Sequence, residues 1–290
     1  MISTLGFRSS KHHQAHLRFR IAMRVADTPP GARSEYWEFP APPRLADRFL
    51  CFWTQTIVGS HGVYEHRVLP DACIDIVLIN DEPPVVVGPW DTSFVARLTV
   101  GTHVTGARLH PGRAPSLLGI PSSELLNQEV PVAALKGAVQ GMHLDEVIQQ
   151  PDSSTRRSAL AQILSASVHD SAPPDLAVLA GIRWLSRHPQ GRIGQLSRTI
   201  GISERQLHRR FSAAIGYGPK TFQSVLRFQR LLKTAHHTGP EQSLADLAVS
   251  TGYADQAHMT RDVQRLANIR PTELLRSADS TLQMSDLFKT

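Results

Sequence analysis

Residues 193–211 read IGQLSRTIGISERQLHRRF. Ile193, Leu196 and Ile200 recur at helical spacing, Gly201 and Ile202 make a turn, and a second helix begins at Ser203. Ser203 is a capping residue, and Gln206, three positions on, can reach back to close a capping box, so the helix start is written locally. On this second helix Leu207, Phe211 and Ala214 share one face, while Arg205, His208, Arg209 and Ser212 occupy the opposite one. A buried stripe backed by long donors and small polar groups is what a helix lying against base edges requires.

The pattern recurs at residues 243–267, SLADLAVSTGYADQAHMTRDVQRLA. Ser243 with Asp246 repeats the capping logic, Leu244, Leu247 and Ala248 form the buried stripe, and Gly252 supplies the turn. The following helix buries Met259, Val263 and Leu266 and turns Ala254, His258, Arg261 and Arg265 outward, with Gln256, Thr260 and Gln264 beside them. The two caps are expected at matching places in the two units. Between the units, Gly218 and Pro219 open a helix carrying Phe222, Val225, Leu226, Leu231 and Leu232; proline in a first helical turn gives up no needed hydrogen bond. One helix is thus expected to hold both units in fixed relation, able to enter successive major-groove turns about 34 Å apart.

Residues 175–276 resemble the DNA-binding domain of the AraC/XylS family of transcriptional regulators. The resemblance is carried by IGISERQLHRRF (200–211), VLRFQRLL (225–232) and GYADQAHMTRDVQRLANIRPTELL (252–275). It implies base reading by Arg205, His208 and Arg209 in the first unit and by Gln256, His258, Thr260 and Arg261 in the second. The chain departs from the family pattern at Met259 and Val263, where phenylalanine is usual, and at Asn268, where a glycine commonly precedes the closing proline motif. Apolar replacements keep the burial, and asparagine tolerates the left-handed backbone. By residue chemistry, Arg205, Arg209, Gln256 and Arg261 are the best matches to base edges, since arginine pairs bidentately with guanine and glutamine with adenine. Arg210, Arg227, Arg230, Lys233 and Arg265 are expected at phosphates, with Arg227 and Arg230 also suited to bracing the domain.

Charge agrees with this. The formal surplus of +6 lies wholly after residue 170, while the preceding part is close to neutral. A concentrated basic footprint is what phosphate neutralisation requires. With 41% hydrophobic residues in 290, the composition is that of an ordinary globular chain of two domains. No apolar run approaches the ~20 residues needed to span a bilayer, and residues 1–33 carry Lys11, His12, His13, Arg18, Arg20 and Arg24 without an apolar core, unlike a secretory signal. A cytoplasmic protein is expected.

The first half reads as β-rich. FLCFWTQTIVG (49–59), HRVLPDACIDIVLIN (66–80), PVVVGPW (84–90), FVARLTVG (94–101) and HVTGARLHPGR (103–113) are short strand-like runs separated by turn residues. They suggest a barrel or curled sandwich. LPDACIDIV (69–77) and GARLHPGRAPSLLGIPSSEL (106–125) resemble the sensing or regulatory domain of one AraC-type branch. The expected class is therefore α+β: a barrel-like β-rich domain (35–130) after an extension expected to be disordered (1–34), then a helical connector (131–174), the all-α double helix-turn-helix domain (175–276) and a C-terminal tail (277–290).

Catalysis and metal binding find little support in this half. Asp71, Cys73 and Asp75 alternate as if along one strand, and a buried Asp75 needs a partner, for which Arg108 and Arg113 are available. A structural ion pair and a ligand-binding set (Asp71, Asp75, Arg108, Arg113) are the two readings. His61, His66, His103 and His110 lack the close pairing of a barrel metal site, and the two cysteines, Cys51 and Cys73, form no CxxC, which excludes a four-cysteine zinc centre. They are expected as small buried hydrophobes. The expectation is of a regulator that is not an enzyme and needs no cofactor or metal. Its partners would be double-stranded DNA, a small-molecule effector and RNA polymerase, with a homodimer left open. An enzyme or ligand binder using DNA incidentally, and a nonspecific architectural DNA binder, are the competing classes.

Overall fold

The computed structural model describes residues 19–20, 31–137, 139, 142–168, 171–238 and 243–278. Strands come first: β1 (Phe19–Arg20), β2 (Ala32–Pro40), β3 (Phe49–Gly59), β4 (Val63–Val68), β5 (Ile74–Ile79), β6 (Val85–Val87), β7 (Phe94–Thr99), β8 (His103–Leu109) and β9 (Glu129–Pro131). They form a seven-stranded antiparallel sheet in the order β1-β2-β3-β8-β5-β6-β9 and a separate two-stranded ribbon, β4-β7. The expected barrel is realised as these two sheets.

Strands β3 and β5 are buried almost continuously rather than alternately, because the large sheet is covered on both faces. On one face Phe49, Phe52, Ile76, Leu78, Ala107 and Leu109 pack with the helices α1 (Ala114–Leu118), α2 (Asp145–Ile148) and α3 (Ser153–Ser167). On the other, Tyr36, Cys51, Trp53, Val77 and Val104 form a second cluster. Trp53 is paired in register with Gly106, and a Cβ there would lie 2.3 Å from the indole ring, so only glycine lets the ring settle on β8.

Two sequence boundaries change. The sheet already includes Ala32, Arg33 and Ser34, which pair with β3, and Phe19–Arg20 pairs with β2; residues 1–18 and 21–30 of the extension lie outside the described residues. The stretch read as a connector is part of the β-domain core, because Val132, Val147, Leu160 and Leu164 bury against the sheet. Amphipathic helices beside a sheet with an uncovered apolar face lower the free energy by closing it, and spacing along the chain does not reveal that.

The remaining helices are α4 (Leu176–Arg187), α5 (Ile193–Ile200), α6 (Glu204–Ile215), α7 (Pro219–Thr238), α8 (Leu244–Ser250), α9 (Gln256–Ala267) and α10 (Pro271–Ala278). Residues 279–290 of the expected tail lie outside the described residues. α5–α6 and α8–α9 are the two helix-turn-helix units. Their turns use Gly201 and Gly252 at φ 76° and 94°, a backbone region costly for any side chain. α7 runs between the units with Phe222, Val225, Leu226, Phe228, Leu231 and Leu232 all buried, and its 20 residues make a rod about 30 Å long. Both units and α7 share one core. The β-domain joins it: Ala72 is buried there, Leu69 and Leu126 pack against it, and Gln229 of α7 donates to the Pro70 carbonyl at 2.6 Å.

Candidate nucleic-acid interface

α6 starts as its residues dictate. The Ser203 hydroxyl accepts from the Gln206 N–H at 3.2 Å and the Gln206 side chain accepts from the Ser203 N–H at 3.0 Å, closing the capping box. The matching cap of α9 is Asp255, whose carboxylate accepts from the His258 N–H at 2.6 Å. Ser243 caps α8, the scaffold helix, where its hydroxyl accepts from the Asp246 N–H at 3.2 Å. The expectation that Ser203 and Ser243 sit at matching places is therefore corrected: Ser203 corresponds to Asp255. At its other end α9 closes on Asn268 in the left-handed conformation, φ 57°.

On α6, Leu207, Phe211, Ala214 and Ile215 face the core, while Arg205, His208 and Arg209 are exposed. On α9, Met259, Val263 and Leu266 are buried and Gln256 and Arg261 are exposed. Arg209 and Arg261 both stand clear of the interior. His258 and Thr260 are less available. The His258 ring lies edge-on to Tyr253 with centroids 5.3 Å apart and its Nε2 is 3.8 Å from Asp262, while the Thr260 hydroxyl donates to its own helix at Gln256 O, 2.8 Å away. Arg209 and Arg210 also border an open groove of about 570 Å³ between α6 and the β-domain, with Pro115, Ile120 and Pro173 among its walls.

The basic residues expected at phosphates divide. Arg227 does not reach the surface. Its guanidinium donates to Asp262 at 3.2 Å, to the Pro189 carbonyl at 3.2 Å and to Ser224 at 3.1 Å, and it lies over the Tyr253 ring. The phosphate role for Arg227 is corrected to the bracing role, since a buried guanidinium with three acceptors has no donor facing solvent to offer. Arg230 is half-buried and donates to the Ser186 carbonyl, which ties α7 to α4, and burial lowers its pKa; it too is a brace. Arg210 pairs with Asp175, the N-cap of α4, at 3.1 Å, and Arg265 pairs with Asp262 at 3.2 Å, each remaining partly exposed. Lys233 is half-buried.

In the β-domain, the structure brings together three of the four residues named as a ligand set. Arg108 Nε donates to both Asp75 oxygens at 3.1 and 3.2 Å, with Asp71 at 3.8 Å and Glu38 at 3.6 Å, and Trp53 Nε1 donates to Asp75 at 2.7 Å. Burial, together with the neighbouring Asp71 charge, raises the Asp75 pKa against the opposing pull of Arg108. Asp71 precedes the strand rather than lying in it. Its carboxylate accepts from the Cys73 N–H at 2.8 Å across Ala72, which has φ 65°. Arg113 lies apart, bonded to Asp47 at 2.7 Å. Asp75 and Arg108 are spent on one another in a nearly closed site, which favours the structural ion pair over a ligand contact. Cys51 and Cys73 are free, buried thiols whose pKa values burial raises. Among the described residues no group of three or more His, Cys, Asp or Glu is placed to hold a metal ion, and no helix is long and apolar enough to cross a membrane.

Residues missed by sequence reasoning are Asp255 and Asp262. Asp255 was legible as a capping type before Gln256; Asp262 has Arg265 and His258 at helical spacing on its own helix, but its link to Arg227, on another helix, leaves no local signal.

Residues 196–277 match the model of a helix-turn-helix domain, and residues 37–131 match that of a domain of unknown function, DUF6597. No curated protein matches the chain. Among solved structures, it is similar to ToxT of Vibrio cholerae O395, at 9% identity over 86% of this chain and 98% of that one with a TM-score of 0.43. The apo form of a ToxT point variant from Vibrio cholerae strain SCE256 gives 12% identity over 87% and 99%, with a TM-score of 0.42. At these values the likeness is loose. The two matched domains, in this order, together with the paired helix-turn-helix units and their connecting helix, mark the chain as a DNA-binding transcription regulator of the helix-turn-helix type, with the layout expected from the resemblance to the AraC family.

Proposed function

We propose that the chain binds a specific duplex site by placing α6 and α9 in successive major-groove segments on one side of the DNA. The observation that carries this is the shared layout of the two helices. Each presents its capped N-terminal half to solvent, with Arg205, His208 and Arg209 on one and Gln256 and Arg261 on the other, and each is fixed by its apolar face to α7. The α7 rod, about 30 Å long, is comparable with the groove repeat of about 34 Å. Arg205, Arg209, Gln256 and Arg261 read base edges; His208, His258 and Thr260 contribute at the margins; Arg210, Lys233 and Arg265 approach phosphates.

The β-domain, spanning roughly residues 32–168 in this reading, governs that binding by taking a small effector or a second copy of the chain, and the bound regulator acts on RNA polymerase in the cytoplasm. Its direct contacts with the helical domain support the control role. The test is selection of bound fragments from random DNA with the purified chain. Two conserved blocks about one helical turn apart are expected. Equal affinity for all fragments, with one common salt slope, would replace this reading by nonspecific architectural binding.

A further inference from the structure

The last turn of a helix leaves carbonyls with no donor inside the helix. In α9, Asn268 N–H satisfies Gln264 O, which leaves the carbonyls of Arg265, Leu266 and Ala267. All three are satisfied from the β-domain. The Thr92 hydroxyl donates to Arg265 O at 3.2 Å, the Ser93 N–H to Leu266 O at 2.7 Å, and the Ser93 hydroxyl to Ala267 O at 2.8 Å, where Arg67 also donates at 3.3 Å. The Asn268 side chain returns bonds to Thr92 and to the Ser93 carbonyl.

α6 is held at the same end. The buried Ser122 hydroxyl donates to Ala214 O at 2.9 Å, and Gly216 lies so close to Pro89 that a Cβ would meet the proline ring at 2.5 Å. These two anchors are braced to each other within the β-domain. Asn127 accepts from the Asp91 N–H at 3.1 Å and donates to its carboxylate at 2.9 Å, and the Asn127 N–H donates to Pro89 O at 3.0 Å. Segments 89–93 and 122–127 are thus one unit touching the C-terminal ends of both DNA-reading helices and leaving their N-terminal halves free.

We propose that this braced loop pair is a second strut, beside α7, that fixes α6 relative to α9, and that Thr92, Ser93, Ser122 and Asn127 are positioning residues which set the half-site spacing the chain accepts. The role in spacing rests on the reading of α6 and α9 as DNA-reading helices; the strut itself does not. Because, among the described residues, three carbonyls of α9 receive side-chain or backbone bonds only from this loop and Arg67, loosening it frees the helix end to tilt.

The test has two arms, both on the full chain. Spin labels at Glu204→Cys and Ala257→Cys, exposed positions in the first turns of α6 and α9, report the distance between the helices without DNA; the native cysteines are buried. A single narrow distribution is expected, broadened in a Thr92→Ala/Ser93→Ala/Ser122→Ala variant. Thr92→Ala alone, at a partly exposed position, gives a smaller broadening if the triple variant does not fold, and Thr92→Ser restores the native width. An unchanged distribution in the variants overturns the strut whatever DNA shows. In the second arm, the selected site is compared with versions lengthened by one and by two base pairs between its blocks. The variants should bind the selected site more weakly than the native chain yet lose less on lengthening than the native chain does. Variants whose losses stay in the native ratio at every spacing would overturn the role in spacing, and a native chain that selects no site would overturn the DNA reading while the labels still decide the strut.

Discussion

Arg227 on α7 and Asp262 on α9 form an ion pair of 3.2 Å with 8% and 12% of their side chains exposed. Asp262 also receives Arg265 at 3.2 Å and faces His258 at 3.8 Å, so a single carboxylate ties the connecting rod to α9. Removing the guanidinium leaves that carboxylate with weaker, more solvated partners. Arg227→Ala should cost about 3–5 kcal/mol in urea unfolding. Replacing both partners, as in Arg227→Met with Asp262→Leu, should recover most of the loss. If Arg227 contacted a phosphate, the double variant would lower the slope of log K against log salt by about one; an unchanged slope is expected.

Base reading and phosphate contact separate in a mobility-shift comparison of cognate and random DNA. Arg209, exposed on α6, should cost about 1–3 kcal/mol on its own site when changed to alanine and relax preference at one position there. Lys233→Ala should weaken both kinds of DNA alike. Equal losses on both for Arg209→Ala would remove Arg209 from the readers and leave it as a wall of the groove it borders.

The helical domain was legible because its signals are local: a serine three residues before a glutamine, glycines at the turns, apolar residues at helical spacing, and Asn268 where the backbone turns left-handed. The sequence allowed Arg227 and Arg230 to brace the domain but did not show what they brace against: the partner of Arg227 is Asp262, 35 positions beyond it and brought near only by the fold. The contacts that hold the ends of α6 and α9 are still less local, since Thr92 and Arg265 are 173 positions apart. In the β-domain, the need of Asp75 for a partner was readable from its apolar neighbours, and Arg108 meets it across the register. Asp71 was misplaced onto the strand because residue alternation does not show the turn at Ala72.

Gly106 gives a prediction for the β-domain alone. A methyl group there would press on the Trp53 ring at 2.3 Å, and that ring also supplies the bond to Asp75. Gly106→Ala should destabilise by about 1–3 kcal/mol through overpacking and shift tryptophan emission to the red as the ring is displaced. An unshifted spectrum with native melting would mean the ring can slide without loss.

The Asp75 cluster sets the sign of a pH effect. Burial raises its folded pKa above the unfolded value, so the folded chain binds this proton more tightly. The stabilisation from Asp75 is therefore fully present below the unfolded carboxylate pKa and is lost as pH rises through the folded value. Asp75→Asn keeps a similar shape and cannot ionise, which makes it the reference. Measured by denaturant unfolding across the acidic range, the stability of the native chain relative to Asp75→Asn should decline as pH rises. Growth of that difference with pH would show instead that the Arg108 charge dominates and holds the carboxylate ionised, with a folded pKa below the unfolded one.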